Sequence, residues 1–379
     1  MRILHIGKYY APERGGIERY TQALAEWSVA RGDAVAVLCH QRAGIRERAV
    51  ETIGGVGVRR AGCIAAPLYT PLSPSFPFEL ARALREFRPD LLHLHFPNPS
   101  CFFALTSPHA RRLPWVVHWH ADVPPDSNDW RLRSAYRIYR SFEQATLRRA
   151  AAVVATSQPY LHASIALTAW HAKTAIIPLG IADALPEVPK PSLWPAGTGL
   201  RLLAVGRLSR YKGFNVLIEA LGRLHDVQLL IVGEGECAAE LRALVHARGL
   251  DHRVAFAGAL SDEDLASAYA AADAFALPSL DRGEAFGLVL LEAMRAGRAA
   301  VASDIAGSGV GFVIDDAITG ILVPPGNAVA LAEGIARLQD ERLRARLGDA
   351  GRQRWREHFL LETSARRIDA LYRSVAPNS

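Results

Sequence analysis

Short runs of apolar residues alternate along the whole chain with stretches of helical period, and this alternation restricts the fold more than any other feature. In the first half the runs cover 3–7, 34–38, 91–96, 115–119, 152–156 and 174–178. In the second they cover 201–206, 228–233, 253–257, 273–277, 298–303 and 320–323. Continuous apolar runs of this length suit strands buried on both faces of a parallel sheet, where helices cover each side. The intervening stretches carry helical spacing. Residues 18–31 place Ala23, Leu24 and Trp27 on one side and stop at Gly32, a residue that readily closes a helix. Repeated strand–helix–strand alternation predicts doubly wound α/β sheets.

A length of 379 residues suits two such domains. Between the halves, Pro186, Pro189, Pro191 and Pro195 crowd a stretch of linker composition. The expected organisation is an N-terminal Rossmann-like domain over 1–185, a linker over 186–199, and a second Rossmann-like domain over 200–360, the two facing across a cleft. Ligands of such sheets bind outside the carboxyl ends of the strands, so the loops there carry the argument about function.

Composition narrows the partners. Cys39, Cys63, Cys101 and Cys237 are scattered, with neither zinc-ligand nor disulfide spacing, which suits buried thiols in a reducing, cytoplasmic compartment. The N-terminal segment reads as a first strand, and no apolar stretch reaches the roughly 18 residues of a membrane span. A net charge of +6 favours an anionic partner: a nucleotide phosphate, a membrane surface or a nucleic acid. Against nucleic acid stands the lack of any aromatic stacking platform or recognised binding module.

Four segments carry candidate chemistry. Residues 206–213 follow a strand and precede a helix. A helix start offers free N–H groups, and Arg207 and Lys212 add a fork of donors and a point charge, suited to a diphosphate; a plain solvated basic turn explains the same residues. Glu284 and Glu292 bracket seven residues. If Glu284 sits just before a helix ending at Gly297, Glu292 lies about two turns in and returns to the same side, where two carboxylates could hold sugar and ribose hydroxyls. Alternatively they are a helix-start acid and a partly solvated one. Gly15-Gly16-Ile17-Glu18 after the first strand would let backbone approach a ligand, or would simply turn and cap a helix. His118-Trp119-His120-Ala121-Asp122 ends a strand, and His120 could bond a sugar hydroxyl or the reacting centre. Strand alternation puts His93 with His95, and His118 with His120, each on one face. No carboxylate or cysteine is placed to complete a ligand set with them, so no metal is expected. A rival fingerprint, Gly233-Glu234-Gly235-Glu236-Cys237-Ala238, fits a dinucleotide loop and would suit an NAD-dependent oxidoreductase.

Taken together, these segments resemble the retaining glycosyltransferases of family 4, which have the two-domain GT-B fold. The matching residues run in order: Gly15 to Glu18, His120, Pro178 to Ile181, Gly206-Arg207 with Lys212-Gly213, Val232 to Gly235, Phe256 with Gly258, Pro278-Ser279, Glu284 to Glu292, and Thr319-Gly320 with Pro324 to Gly326. The Gly233 loop is itself a regular feature of that family, which removes the rival. The resemblance implies that Arg207 and Lys212 hold the donor diphosphate, Glu292 the ribose and Glu284 the donor sugar. It implies that His120 contacts the sugar near its anomeric centre. Gly16 would bring N–H groups to the phosphate side, and backbone around Gly258 would meet the base. No cofactor is implied, and the nucleotide-sugar is a substrate. The segment 361–379 is expected to return as a helix toward the N-terminal domain.

Residues 116–122 look most like bacterial O-antigen and exopolysaccharide mannosyltransferases. This implies a hexose, mannose from GDP-mannose first and a UDP-sugar as the alternative, passed to a lipid-linked or growing oligosaccharide acceptor. At 305–310 the chain departs from the Gly-Gly-x-x-Glu-like element of many relatives, in a loop expected to face the donor sugar. Residues 130–149 form a candidate basic amphipathic helix, which could sit on an anionic membrane surface or be an ordinary solvated helix.

Overall fold

The computed structural model describes residues 1–13, 15–67, 70–123, 130–183, 193–195 and 197–376, with side chains from 136 onward in the helix that begins at Trp130. The chain forms two compact units, Met1–Gly180 with Leu361–Ser379, and Ile181–Leu360. Most of 186–199, read as a linker, lies outside the described residues.

The first unit is built on β1 (Arg2–Ile6), β2 (Ala34–His40), β3 (Ala49–Ile53), β4 (Val56–Ala61), β5 (Leu91–Phe96), β6 (Trp115–Trp119), β7 (Ala152–Ala155) and β8 (Thr174–Ile176). They lie in the order β3-β4-β2-β1-β5-β6-β7-β8. Neighbours are parallel except β3, which runs antiparallel to β4. Every residue of β5 and β6 is buried, as continuous apolar runs require. The pair β3 and β4 was not among the expected strands. Gly54 and Gly55 join them with φ of +56° and +79°, the left-handed pair that a two-residue hairpin turn needs. Strand β3 is largely exposed at the sheet edge, so it carries no apolar run.

Helix Gly16–Ala30 crosses this sheet, and Gly32 closes it at φ +89° with its N–H on Val29 O. The last helix, Leu361–Val375, packs within the same unit. Ser364 Oγ donates to Pro178 O at 2.6 Å, so Tyr20 OH, 2.8 Å away, donates to Ser364.

The second unit is built on β9 (Leu200–Val205), β10 (Val227–Val232), β11 (Val254–Gly258), β12 (Ala274–Leu277), β13 (Ala299–Ser303) and β14 (Gly320–Val323). The order is β11-β10-β9-β12-β13-β14 and all pairs are parallel. One continuous core of Leu, Val, Ile and Ala fills the space between this sheet and its helices.

Candidate functional site

Strand β9 lies between β10 and β12, so the chain leaves β9 to one side and β12 to the other. That reversal opens a crevice at the carboxyl ends of β9 and β12, the place where doubly wound sheets take ligands. Lys212 and Glu284 meet there. Lys212 ends the 3₁₀ turn Arg210–Lys212 after β9, and its Nζ donates to Glu284 Oε2 at 2.6 Å. Ser279 Oγ, just past β12, donates to the same oxygen at 2.8 Å. All three residues are buried. The backbone makes the meeting possible. Gly213 takes φ +67°, and a Cβ there would lie 2.0 Å from Pro278 O, so the loops after β9 and β12 touch through backbone alone. Burial by itself would lower the Lys212 pKa, but Glu284, with Tyr211, outweighs it and holds the ammonium above its ordinary value. Lys212 is therefore a buried cation held by Glu284, not a solvated turn residue.

Arg207 is exposed beside this pair in sequence, with Nε 3.6 Å from Glu236 Oε2. The loops after β9 and β10 run backbone against backbone. A Cβ on Gly233 would lie 2.0 Å from Gly206 O, and one on Gly235 would lie 2.4 Å from Leu208 O. These glycines are required by the neighbouring loop, so the Gly233 fingerprint needs no dinucleotide to explain it. Gly258 ends β11 at φ +66° and accepts the Gly233 N–H at 2.8 Å.

The two glutamates are not arranged as the spacing argument expected. The helix is Leu288–Arg295, preceded by Gly287 at φ +81°. Glu284 stands in the turn before it, and Glu292 is little more than one turn in rather than two. The same-side argument from 3.6 residues per turn fails because 284–287 are not helical. Glu292 is buried and accepts from Tyr269 OH at 2.9 Å. Ser308 Oγ donates to the Glu284 carbonyl, tying the turn to the divergent 305–310 loop.

In the first unit, Gly16 is exposed and begins helix Gly16–Ala30. Gly15 precedes it in extended backbone, and a Cβ on Gly15 would fall 2.1 Å from a Glu18 carboxylate oxygen. Burial pushes the Glu18 pKa above its ordinary value. His120 follows β6 and is buried, its backbone N–H on Phe96 O at 3.0 Å. Its ring lies in a cluster of five buried imidazoles, with His5, His93, His95 and His118. Register brings them together: His5 is paired with His93 across β1 and β5, and His95 with His118 across β5 and β6. Tyr20 sets its ring edge against His118 and His120, and Tyr372 hydrogen-bonds His93 Nδ1. Burial is the main reason each ring's pKa is lowered, His5 to about 3 and the others well below the ordinary value. Ring nitrogens of His5, His93 and His95, and of His95, His118 and His120, lie within 4.8 Å of one another; these are the groups among the described residues near enough to share an ion.

Ser279 and Tyr269 join the site as the partners of the two glutamates. The first stood only in the motif Pro278-Ser279, and the second carried no signal beyond a tyrosine in the helix Asp262–Ala271.

Residues 192–354 match the family model described as glycosyl transferases group 1, and residues 15–180 match the glycosyl transferase 4-like domain. The chain is 30% identical over 382 residues to the O-antigen chain mannosyltransferase C of Escherichia coli, covering 98% of this chain and 96% of that one. It is 31% identical over 386 residues to the phosphatidyl-myo-inositol mannosyltransferase of Mycobacterium leprae, covering 99% and 97%. Among solved structures, the sucrose-phosphate synthase of Thermosynechococcus elongatus superposes with a TM-score of 0.78 at 26% identity, over 98% of each chain.

Proposed function

Because the chain belongs to the group 1 glycosyl transferases, and is thus a glycosyltransferase of the GT-B class, we propose that it transfers mannose from GDP-mannose, with retention, to a lipid-linked or growing oligosaccharide of the cell surface. The observation that carries the reading is the buried Lys212–Glu284–Ser279 group at the switch point of the second sheet. In the reaction the bond from the sugar's anomeric carbon to the diphosphate breaks, a bond to the acceptor hydroxyl oxygen forms, and that hydroxyl's proton passes to the departing diphosphate oxygen. The leaving diphosphate gathers negative charge. Lys212 and the more exposed Arg207 meet that charge, and a buried, preorganised donor such as Lys212 acts far more strongly than one in water. An ammonium has three donors, so Lys212 can hold Glu284 and still turn to a phosphate oxygen. In this reading no metal is needed, since the two cations neutralise the leaving group. Glu284 holds the sugar, and Glu292, steadied by Tyr269, holds the ribose. Gly258 meets the base through backbone, while His120 and the Gly16 helix start act on the sugar and phosphate. The mannosyltransferases named above favour mannose.

The direct test is turnover with GDP-mannose and with UDP-sugars on a polyprenyl-linked oligosaccharide, reading the anomer of the product. Transfer of α-mannose from the α-linked donor is expected. Transfer from UDP-sugars alone would replace the donor, and an inverted product would overturn retention. Tyr269→Phe is expected to raise the donor KM roughly three- to tenfold with kcat within about twofold, because it loosens a carboxylate that grips the nucleotide equally in ground and transition states.

An acceptor at an anionic membrane surface suits helix Trp130–Arg149. No helix among the described residues is long and apolar enough to cross a membrane. On this helix Ile138 and Phe142 are exposed four residues apart, beside exposed Arg137 and Arg140. Arg131 and Arg133 lie where side chains are not described. The reading expects co-sedimentation with phosphatidylglycerol vesicles that weakens with salt, and substitution of both Ile138 and Phe142 by glutamate should abolish it. Failure of the wild-type protein to co-sediment at low salt would remove the membrane from the account.

A further inference from the structure

The five imidazoles of the first unit are built in two layers. In one, His5 Nδ1 lies 3.0 Å from His95 Nε2, and His95 Nδ1 lies 2.9 Å from His120 Nε2. Across these contacts the ring planes differ by 18° and 12°, with centroids 5.3 and 5.2 Å apart. That spacing is a hydrogen bond plus two ring radii, so the three rings are bonded edge to edge in one plane. The second layer covers the first by its faces: His93 stacks on His95 at 4.4 Å, and His118 on His120 at 4.1 Å.

A neutral imidazole has one N–H and one bare nitrogen. If His120 carries its proton on Nε2, His95 must accept at Nδ1 and carry its own proton on Nε2. His5 must then accept at Nδ1 and carry its proton on Nε2. The only other consistent arrangement has every proton on Nδ1. Any mixture sets two N–H groups, or two lone pairs, against each other in a buried site. We propose that His5, His95 and His120 form a single tautomeric unit, in which His95 and His5 are positioning residues that decide whether Nδ1 of His120 donates or accepts a hydrogen bond. A sugar hydroxyl donating to that nitrogen selects the all-Nε2–H row, and one accepting from it selects the all-Nδ1–H row.

The surroundings leave both states open. The two ends of the row, His120 Nδ1 and His5 Nε2, are buried and have no hydrogen-bond partner in the described structure. Thr21 Oγ1 stands 3.4 Å from His95 Nδ1, and a hydroxyl can donate or accept there. Burial keeps the rings uncharged at neutral pH, so the one-proton-per-ring rule holds. His95 belongs to both groups near enough to share an ion, yet its two nitrogens point at His5 and His120 rather than at one centre.

The functional meaning of the row rests on His120 contacting the donor sugar; its bonding pattern does not. Nitrogen-15 NMR of the full chain with labelled histidine, without donor, tests the pattern. The expected spectrum shows the three rings in one shared tautomer, or exchanging together between the two rows, with through-bond couplings between His5 and His95 and between His95 and His120. His95→Leu should release His120 into a mixture of tautomers and lower kcat roughly tenfold. His95→Gln, whose amide can accept from or donate to His120 Nε2, should keep that nitrogen hydrogen-bonded and bring kcat to within about threefold of wild type. Protons on unlike nitrogens, missing couplings, or a stoichiometric metal in the purified protein would overturn the proposal. So would a His95→Leu variant that loses activity while the His120 tautomer stays put, since that marks a packing role. If the couplings are present but His120→Ala keeps full activity, the sugar-contact reading fails and the row stands.

Discussion

Acidifying the protein from pH 7 to pH 5 is expected to unfold the first unit. Its five clustered imidazoles are buried, burial and the neighbouring rings are the causes of their lowered pKa values, and Tyr20, Thr21 and Tyr372 face them from helix Gly16–Ala30 and the last helix. Unfolded, each ring takes a proton near pH 6.5. Folded, burial holds His5 near 3 and the others well below the ordinary value. The unfolded state therefore binds more protons throughout this window. Stability is fully present above about pH 6.5 and falls as the pH drops toward the folded values. Each ring contributes a slope of about 1.4 kcal/mol per pH unit, so five together approach ~7 kcal/mol per unit. That rivals the whole stability of a typical domain. His40, also buried and lowered to about 4, adds a sixth proton, while Glu143, whose carboxyl burial raises to about 7, gives one up on unfolding and offsets it. Near-ultraviolet circular dichroism against pH should show a steep transition between roughly pH 6 and 5, and potentiometry should find the uptake of about five protons. His118→Leu, which removes one titrating ring, should lower the uptake by one and move the midpoint to lower pH. A flat signal down to pH 5 would mean that the rings are solvated or already charged.

Breaking the Lys212–Glu284 pair carries the second large effect, and it falls on both fold and chemistry. With both partners buried, Lys212→Ala strands a carboxylate that keeps only Ser279, at a cost of about 3–5 kcal/mol. Glu284→Ala strands the ammonium in the same way. Replacing the pair together by Lys212→Met and Glu284→Leu removes both charges and should return the melting temperature close to wild type, since apolar residues of similar volume often substitute for a buried pair without loss. Its kcat should still fall by about 10²–10³, because the donors aimed at the leaving group are gone. Thermal unfolding and turnover measured on the same preparations separate the two effects. A double variant that is stable and fully active would remove the pair from the mechanism.

Much of the fold was legible because strands buried on both faces of a parallel sheet are largely apolar. Leu91–Phe96 and Val227–Val232 announce themselves in this way. The hairpin of Ala49–Ala61 did not, since the edge strand β3 and its neighbour β4 interleave charged residues such as Glu51 and Arg59. Its signal was the Gly54-Gly55 turn. Lys212 and Glu284 were legible as motif residues, but their bond depends on where the loops after β9 and β12 fold, which no spacing along the chain states. The relation of Glu284 to Glu292 was misjudged because Gly287 breaks the helix that the spacing assumed. His5 escaped notice altogether. A single histidine in a first strand looks structural, and only the register of β1 on β5 reveals that it meets His93 and His95.

The central claim, a nucleoside-diphosphate site at Lys212 and Glu284, is tested most directly by thermal unfolding with GDP, UDP and NAD, comparing the wild-type chain with the Lys212→Met/Glu284→Leu variant. A ligand that binds only the folded state raises its apparent stability by about 2.7 kcal/mol at a hundred times its Kd. The account predicts that GDP raises the melting temperature of the wild-type protein and leaves that of the variant unchanged. A rise with NAD and none with either nucleoside diphosphate, or equal protection of both proteins by GDP, would contradict it.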